Sequence, residues 1–181
     1  MSNKSIAIGS DHAGFDLKGD IIVHLIEKGF EITDCGPDSA DSVDYPDFAH
    51  EVAKSIEAST SDLGILICGS GNGVCMTANS HSGIIAGLAW EPEIASLARQ
   101  HNNANIICVP ARFVSPEKGI EIVDAFLDAT FEGGRHERRV NKIKASGVKV
   151  VDNSTWEYRL NNCKKCEHYQ TFSKNQNMFR C

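Results

Sequence analysis

Cys68 stands where a short apolar segment meets a run of alternating glycines. Residues 63–67 read Leu-Gly-Ile-Leu-Ile, which predicts a strand covered on both faces of a parallel sheet. Glycines follow at positions 69, 71 and 73, and glycine lets successive backbone N–H groups turn toward one point without a Cβ clash. The turn therefore predicts an anion-binding concavity, and a helix predicted over residues 74–79 adds the positive potential of its first amides.

The thiol at the start of this turn is suited to chemistry. Inward-turned amides and a helix end stabilise a thiolate relative to a thiol, so Cys68 fits a nucleophile or a general base. An inert buried thiol is the other interpretation, because free cysteines are commonly buried; the glycine-rich turn favours the chemical one. The spacing G-S-G-N-G matches neither the dinucleotide-binding turn nor the P-loop.

Strand-like and helix-like segments alternate along the chain. This rhythm predicts an α/β fold with a doubly wound, five-stranded parallel sheet of Rossmann-like type. The predicted strands cover residues 5–9, 31–35, 63–68, 84–89 and 105–109, and the helices between and after them cover 14–28, 47–58, 74–79, 92–100 and 116–129. Ligands of such sheets bind beyond the carboxyl ends of the strands. The candidates there are Ser10, Asp11 and His12, residues 68–73, and Arg112.

A basic helix follows the last of these elements. After Gly133 and Gly134, the spacing places Arg135 and Arg139 four residues apart on one helical face. Two guanidinium groups so placed could clamp a phosphate, although a solvated surface helix has the same composition. Together with His101, a thiol, acids, bases and phosphate ligands suit proton transfer beside the carbonyl of a phosphorylated small molecule. No set of residues in this strand-end group indicates a metal site.

Five segments in order carry a family resemblance. They read S-D-H-A-G-F-D-L-K at 10–18, D-Y-P-D-F-A at 44–49, I-C-G-S-G-N-G-V-C-M at 67–76, A-R-Q-H-N-N-A-N at 98–105 and F-E-G-G-R-H-E-R-R-V at 131–140. Over residues 6–143 the chain resembles the sugar-phosphate isomerase family that includes ribose-5-phosphate isomerase B and galactose-6-phosphate isomerase. The resemblance implies interconversion of ribose 5-phosphate and ribulose 5-phosphate through an ene-diolate, without metal or other cofactor. It also implies a homodimer, or a dimer of dimers, with sites between subunits.

The resemblance also implies a role for each matching residue. Cys68 matches the base that moves a proton between C2 and C1, and Ser70 occupies the hydroxyl position of the loop. His101 and Asp11 match residues that help to open the furanose ring. The matching substrate-binding positions are His12, Tyr45, Gly69, Gly71, Asn72, Gly73, Asn102, Arg112, Arg135 and Arg139. Among them, His12 and the three arginines match phosphate ligands.

Two positions depart from the family pattern. Some members carry a glutamate base in the glycine-rich loop, where this chain has Val74, so Cys68 is the candidate base here. Relatives often carry arginine at the position of Ile85, which we interpret as a packing or surface change. Cys75, one turn beyond the loop, is interpreted as structural.

Composition limits the other classes of function. The chain has 181 residues and a net charge of −6, which argues against general nucleic-acid binding or a membrane-surface role. No apolar run approaches the roughly 20 residues of a membrane span, and no signal peptide is recognised, so a cytoplasmic location is expected. Residues 1–147 are predicted to form the isomerase domain and residues 148–181 a polar extension. Its cysteines, Cys163, Cys166 and Cys181, with His168, fit a zinc knuckle, a redox pair or a flexible tail.

Alternative functions stay open from the sequence. An isomerase of a six-carbon sugar phosphate such as allose or galactose 6-phosphate would carry a similar set of residues. The presence of Cys68, His101 and the arginines in one chain favours the pentose phosphate. A non-catalytic module that binds a phosphosugar would also suit this fold, but it would not need Cys68.

Overall fold

A computed structural model of the chain describes residues 4–145. Its centre is a sheet of five parallel strands in the order β2-β1-β3-β5-β4. The strands are β1 Ser5–Ser10, β2 Glu31–Asp34, β3 Leu63–Cys68, β4 Ala86–Leu88 and β5 Ile106–Pro110. All six residues of β3 are buried, as expected for a central strand with helices on both faces. The predicted five-stranded parallel sheet is confirmed.

Within residues 4–145, six α-helices and one short 3₁₀ turn connect or follow the strands. The turn His12–Gly14 leads into α1, and the helices are α1 Phe15–Glu27, α2 Tyr45–Glu57, α3 Asn72–Ala78, α4 Pro92–Asn102, α5 Pro116–Asp128 and α6 Arg135–Ala145. Proline in the first turn of α2, α4 and α5 fits because that position needs no helical N–H donor.

Two hydrophobic clusters cover the two faces of the sheet. One contains Ile21 of α1, Ala95 of α4 and Phe126 of α5 against strand residues such as Ile65. The other contains Val52 of α2 and Val74 of α3, packed on the opposite face. Helices on both faces confirm the doubly wound α/β fold.

The strand order reverses between β1 and β3. The chain runs from β1 outward to β2, and then returns to place β3 on the other side of β1. Beyond the carboxyl ends of such neighbouring strands the loops separate and leave a crevice, which is where ligands of open α/β sheets bind. Asp11 follows β1 and Cys68 ends β3, so both flank this crevice.

Several boundaries differ from those predicted by a few residues. Helix α3 begins at Asn72 rather than residue 74, because Gly71 turns the chain immediately before it. Strand β4 covers only Ala86–Leu88, since it lies at the sheet edge and pairs with β5 alone. The extension predicted over 148–181 lies outside the described residues, so its proposed metal knuckle and the domain boundary stay predictions. Among the described helices, none has the length and apolarity to cross a membrane.

Candidate active site

Cys68 lies at the bottom of the glycine-rich turn. Its side chain is 4% exposed, and its Sγ atom accepts a hydrogen bond from the backbone N–H of Gly71 at 3.1 Å. An N–H donor aimed at a nearly buried sulfur stabilises negative charge there more than it would in water. The structure thus places the predicted thiol and a glycine-turn amide in direct contact.

The turn needs glycine at position 71. Gly71 has φ +73°, and a side chain there would collide with Cδ1 of Leu88. Left-handed backbone is available to glycine at little cost, and here it aims the Gly71 N–H back at Cys68. Leu88 closes the site from β4, a contact that sequence spacing alone did not indicate.

Asp11 joins the ends of β1 and β3. One carboxylate oxygen accepts the backbone N–H of Gly14 at 3.0 Å and caps the short turn that precedes α1. The other oxygen lies 3.5 Å from the N–H of Gly69. Since Asp11 is only 8% exposed, its carboxylate is held at a fixed place beside the Cys68 turn.

Two side chains predicted to bind substrate line the turn from other elements. The ring of Tyr45, at the start of α2, packs so closely on Gly73 that a Cβ there would lie 2.5 Å from its Cζ atom. The side chain of Arg112, just after β5, lies over Gly69, whose added Cβ would be 3.3 Å from Nε. The Arg112 backbone also donates to the Gly69 carbonyl at 3.1 Å.

Two buried polar atoms near the end of β1 are available to bind a ligand. Among the described residues, the Nδ1 atom of His12 and the hydroxyl of Ser10 are buried without a hydrogen-bond partner. Buried polar atoms normally have a partner, so a ligand or water is expected for them. Ser70 is exposed on the turn, where its hydroxyl oxygen lies 3.4 Å from the Asn72 N–H.

His101 belongs to a second group, which we call the histidine cluster: His101, Glu132, Arg135 and His136. The imidazoles of His101 and His136 are stacked, with centroids 4.1 Å apart and an angle of 9° between the rings. The Nε–H of Arg135 donates to Nε2 of His136 at 3.2 Å. One carboxylate oxygen of Glu132 lies 3.7 Å from Nε2 of each histidine.

Local backbone structure brings α6 onto α4 and assembles this cluster. Gly133 and Gly134 both have positive φ, at 66° and 56°, so the chain reverses sharply before α6. The N–H of Glu132 donates to the carbonyl of Gln100 in α4 at 3.0 Å, which anchors the reversal. Asn102 follows His101 in α4, and Arg139 lies one turn beyond Arg135; both are exposed.

Burial and nearby positive charge favour the neutral form of His136. Burial, the neighbouring His101 and the Arg135 guanidinium lower the pKa of His136 below its ordinary 6.5. A neutral imidazole keeps a lone pair on one nitrogen, and the Arg135 N–H points at that nitrogen, Nε2.

The two groups lie at the two ends of the parallel strands: Cys68 at the carboxyl ends, which we call the cysteine edge of the sheet, and the histidine cluster at the amino ends. Cys68 ends β3 beside Pro110, the last residue of β5. His101 lies near the end of α4, five residues before β5 begins at Ile106, and therefore at the edge where the strands start. Six residues of β3 span roughly 20 Å. Within residues 4–145 no hydrogen bond or ion pair joins Cys68 to the histidine cluster.

One group of side chains among the described residues has the composition of a metal site. The ligand atoms of His101, Glu132 and His136 all lie within 4.8 Å of one another. Arg135, however, already donates its Nε–H to Nε2 of His136, the atom that would bind the ion. A positively charged guanidinium so close disfavours a dication, and the sequence prediction of no metal stays a prediction.

The remaining described cysteines lie outside the glycine-rich turn. Cys108 is fully buried in β5, and Cys75 lies in α3 with its Sγ 3.4 Å from the Ala86 carbonyl. Burial, with the charges of Asp34 and Glu51, raises the pKa of Cys35 to about 11. Cys35 is therefore a thiol at neutral pH.

Sequence reasoning did not single out Glu132. Its carboxylate faces both histidines, but it stands before a glycine pair in a polar segment. A possible signal was its spacing of four residues from His136, although the glycines between them argued against a continuous helix.

Comparisons with known proteins cover most of the chain. The family model described as Ribose/Galactose Isomerase matches residues 6–143. A probable ribose-5-phosphate isomerase B of Mycoplasma pneumoniae is 51% identical over 144 residues, which cover 79% of this chain and 95% of that protein. Ribose-5-phosphate isomerase B of Escherichia coli is 46% identical over 142 residues, which cover 78% of this chain and 95% of that protein.

A solved structure has the same fold. The crystal structure of ribose-5-phosphate isomerase B from Mycoplasma genitalium with bound ribulose-5-phosphate superimposes with a TM-score of 0.78 and 50% sequence identity. The alignment covers 83% of this chain and 99% of that one. These matches confirm the resemblance predicted from the five motifs. The chain therefore belongs to the ribose/galactose isomerase family and is an enzyme of the aldose–ketose isomerase class.

Proposed function

We propose that the chain interconverts ribose 5-phosphate and ribulose 5-phosphate without a cofactor, with Cys68 as the base. The observation that carries this proposal is the Gly71 N–H donated to Cys68 Sγ at 3.1 Å, beside the crevice where β1 and β3 diverge. The M. genitalium relative with bound ribulose-5-phosphate supports the choice of substrate.

The proposed reaction moves one carbon-bound proton. The Cys68 thiolate removes the proton from C2 of the open-chain aldose, and the electron pair of that C–H bond passes into an ene-diolate. Backbone amides of residues 69–73 stabilise the negative charge that develops on the sugar oxygens. The Cys68 thiol then returns a proton to C1 while a hydroxyl proton moves from O2 to O1, which yields the ketose. Ser70 would bind those oxygens through its hydroxyl.

Ring opening precedes this step, because aldopentose phosphates are mostly furanoses. His101 and Asp11 are proposed to move the protons of ring opening, one from the anomeric hydroxyl and one to the ring oxygen. Imidazole suits such transfers since its ordinary pKa lies near neutrality.

The proposed active site lies between two copies of the chain. Cys68 and His101 stand at opposite ends of the parallel strands, roughly 20 Å apart along β3, farther than a five-carbon substrate can span. A homodimer resolves this, with the cysteine edge of one copy facing the histidine cluster of the other. Two equivalent sites then form by symmetry.

The phosphate is proposed to bind between the same two surfaces. His12 and Arg112 lie at the cysteine edge, where the Nδ1 atom of His12 is buried without a partner among the described residues. The exposed guanidiniums of Arg135 and Arg139, one turn apart on α6, would come from the second copy. Arginine forks suit the geometry of phosphate oxygens. Tyr45 and Asn102 are proposed to contact the sugar hydroxyls.

An assay with purified protein tests the proposal. Ribulose 5-phosphate should form from ribose 5-phosphate after exhaustive treatment with EDTA, and kcat/KM should be lower for allose and galactose 6-phosphate. Preference for a six-carbon substrate would overturn the choice of sugar. Binding of ribose 5-phosphate without turnover would favour the non-catalytic module, and loss of activity with EDTA would contradict a reaction free of metal.

A further inference from the structure

The geometry points to His136 as a positioning residue that holds the His101 imidazole and the Arg135 guanidinium in one unit. One side chain would thereby position both the residue that opens the ring and a residue that binds the phosphate. This inference rests on the proposed function, in which His101 opens the ring and Arg135 binds the phosphate.

Stacking fixes the plane of the His101 ring. The two imidazoles are nearly parallel, at 9° and 4.1 Å between centroids. The side chain of His136 is 7% exposed, whereas that of His101 is 35% exposed. The buried ring therefore supports one face of the accessible ring, and the other face and the edge are left for a ligand. Proton transfer depends on such restraint, since small displacements of a catalytic group are costly.

The same imidazole orients Arg135. The Nε–H of Arg135 is donated to Nε2 of His136 at 3.2 Å. A guanidinium has five N–H donors, so this bond uses one and leaves the terminal nitrogens to bind phosphate. An exposed arginine would otherwise sample many rotamers, and a fixed Nε reduces the entropy lost on binding.

Both contacts require a neutral His136. The charged and titratable groups around it are His101 on α4, Glu132 before α6, and Arg135 and Arg139 on α6. Protonation would place a donor against the Arg135 N–H and a cation against two arginines. Burial and these cations lower the pKa of His136, so the arrangement persists at neutral pH.

Two substitutions separate the two contacts. His136→Phe keeps a flat ring under His101 but offers no acceptor to Arg135, so KM should rise about tenfold in both directions of reaction with kcat little changed. His136→Gln keeps an acceptor near Nε2 but removes the stacked ring. It should lower kcat for net conversion about tenfold or more in both directions, but it should spare the exchange of solvent deuterium into C1 of ribulose 5-phosphate. Ribulose 5-phosphate is an open chain, because its C5 oxygen carries the phosphate, and needs no ring opening.

The control is His24→Gln, which replaces a histidine paired with Asp124 between α1 and α5; it should leave both directions unchanged. If the wild type is active but both His136 variants stay within twofold of it, the inference is overturned. Equal losses of kcat and of the deuterium exchange rate at saturating substrate, for Phe and Gln alike, would indicate a structural role only and would also overturn it. A wild type without isomerase activity would instead overturn the proposed function.

A measurement on the wild type does not depend on the variants folding. In ¹⁵N-histidine NMR spectra, neutral His136 should carry its proton on Nδ1, and its pKa should lie below the ordinary 6.5. A proton on Nε2 at neutral pH would overturn the inference, because that nitrogen could not then accept the Arg135 N–H.

Discussion

The backbone N–H of Gly71 donates to Sγ of Cys68 at 3.1 Å, across a turn of three residues. The N–H of Gly71 points back toward the sulfur because the backbone of Gly71 is left-handed, at φ +73°. The sulfur is at that place because Cys68 is the last residue of the buried strand β3. One sharp turn thus supplies both the proposed base and an N–H dipole directed at its sulfur.

Replacement of Cys68 tests the base. Cys68→Ser keeps an acceptor for the Gly71 N–H but offers a hydroxyl that does not ionise at neutral pH, so kcat should fall about 100-fold or more while the melting temperature changes little. Cys35→Ser is the matched control and should keep wild-type turnover, since the pKa of Cys35 is raised to about 11 and this cysteine lies outside the glycine-rich turn. Cys68→Ser with more than about a tenth of wild-type turnover would contradict the role.

Gly71→Ala should lower both stability and activity. The new methyl group meets Cδ1 of Leu88 at a position with positive φ, and the expected loss is about 2–4 kcal/mol in the free energy of unfolding, measured with urea. Adding Leu88→Ala should relieve the clash but not the backbone strain, so the second change recovers only part of the kcat lost in Gly71→Ala.

Gly19→Ala is the control for this pair. Apart from the backbone of its own helix and its chain neighbours, no atom lies within 4 Å of a Cβ at Gly19, inside α1, so alanine should raise stability by roughly 0.5–1 kcal/mol. A destabilised Gly19→Ala would show that the Gly71 result reflects glycine replacement in general.

Lys18 secures the loop after β2. Its Nζ is 2.7 Å from both carboxylate oxygens of Asp34 and donates to the Pro37 carbonyl at 2.9 Å. Because the Lys18 side chain is only 4% exposed, Asp34→Ala leaves a buried cation unpaired and should cost about 1–3 kcal/mol in urea denaturation. Lys18→Met should cost less.

Lys28 provides the comparison for Lys18. It pairs with Asp124 at 2.8 Å but is 37% exposed, so Lys28→Met should cost less than about 1 kcal/mol. The effect assigned to burial would be contradicted if the free energy of unfolding fell equally in Lys18→Met, Asp34→Ala and Lys28→Met.

Mixing two inactive variants tests the shared site. If Cys68 and His101 serve one substrate from different copies, co-refolded Cys68→Ala and His101→Asn chains should recover about a quarter of wild-type activity, since random pairing makes half of the dimers mixed and gives each of those one intact site. Each variant refolded alone should stay inactive. No recovery on mixing, with dimers present by sedimentation, would place both residues in one chain's site.

The stability of the protein should depend on His136 below neutral pH. Since burial and neighbouring cations lower the pKa of folded His136, the unfolded chain binds its proton first as pH falls below 6.5. Stability is therefore lost as pH falls from 6.5 toward the folded-state pKa. Urea denaturation at pH 7.5 and 5.5 should show a smaller loss for His136→Phe than for the wild type; an equal loss would contradict the shift.

Much of the cysteine edge could be predicted from local sequence. An apolar run followed by alternating glycines specifies a buried strand and a turn of inward amides, and both lie within ten residues of Cys68. Asp11 and Arg112 were also predicted there, because the carboxyl ends of parallel strands share one edge.

The histidine cluster could not be predicted in the same way. His101 and His136 are 35 positions apart, and their stacking depends on a reversal at Gly133 and Gly134 that returns α6 to α4. Spacing within a helix reports only neighbours three or four residues away. Contacts between elements depend instead on how those elements pack.

By itself, the sequence determined the alternation of strands and helices, the glycine turn at Cys68 and the family motifs, because these follow from local periodicity and residue type. Only the tertiary structure decided that Cys68 and His101 lie at opposite ends of the parallel strands and that His136 joins His101 to Arg135. The reason is that each helix returns the chain from the carboxyl ends of the parallel strands to their amino ends, so successive segments alternate between the two ends. Residues with related chemistry are therefore separated or brought together by the topology of the fold, not by their order in the chain.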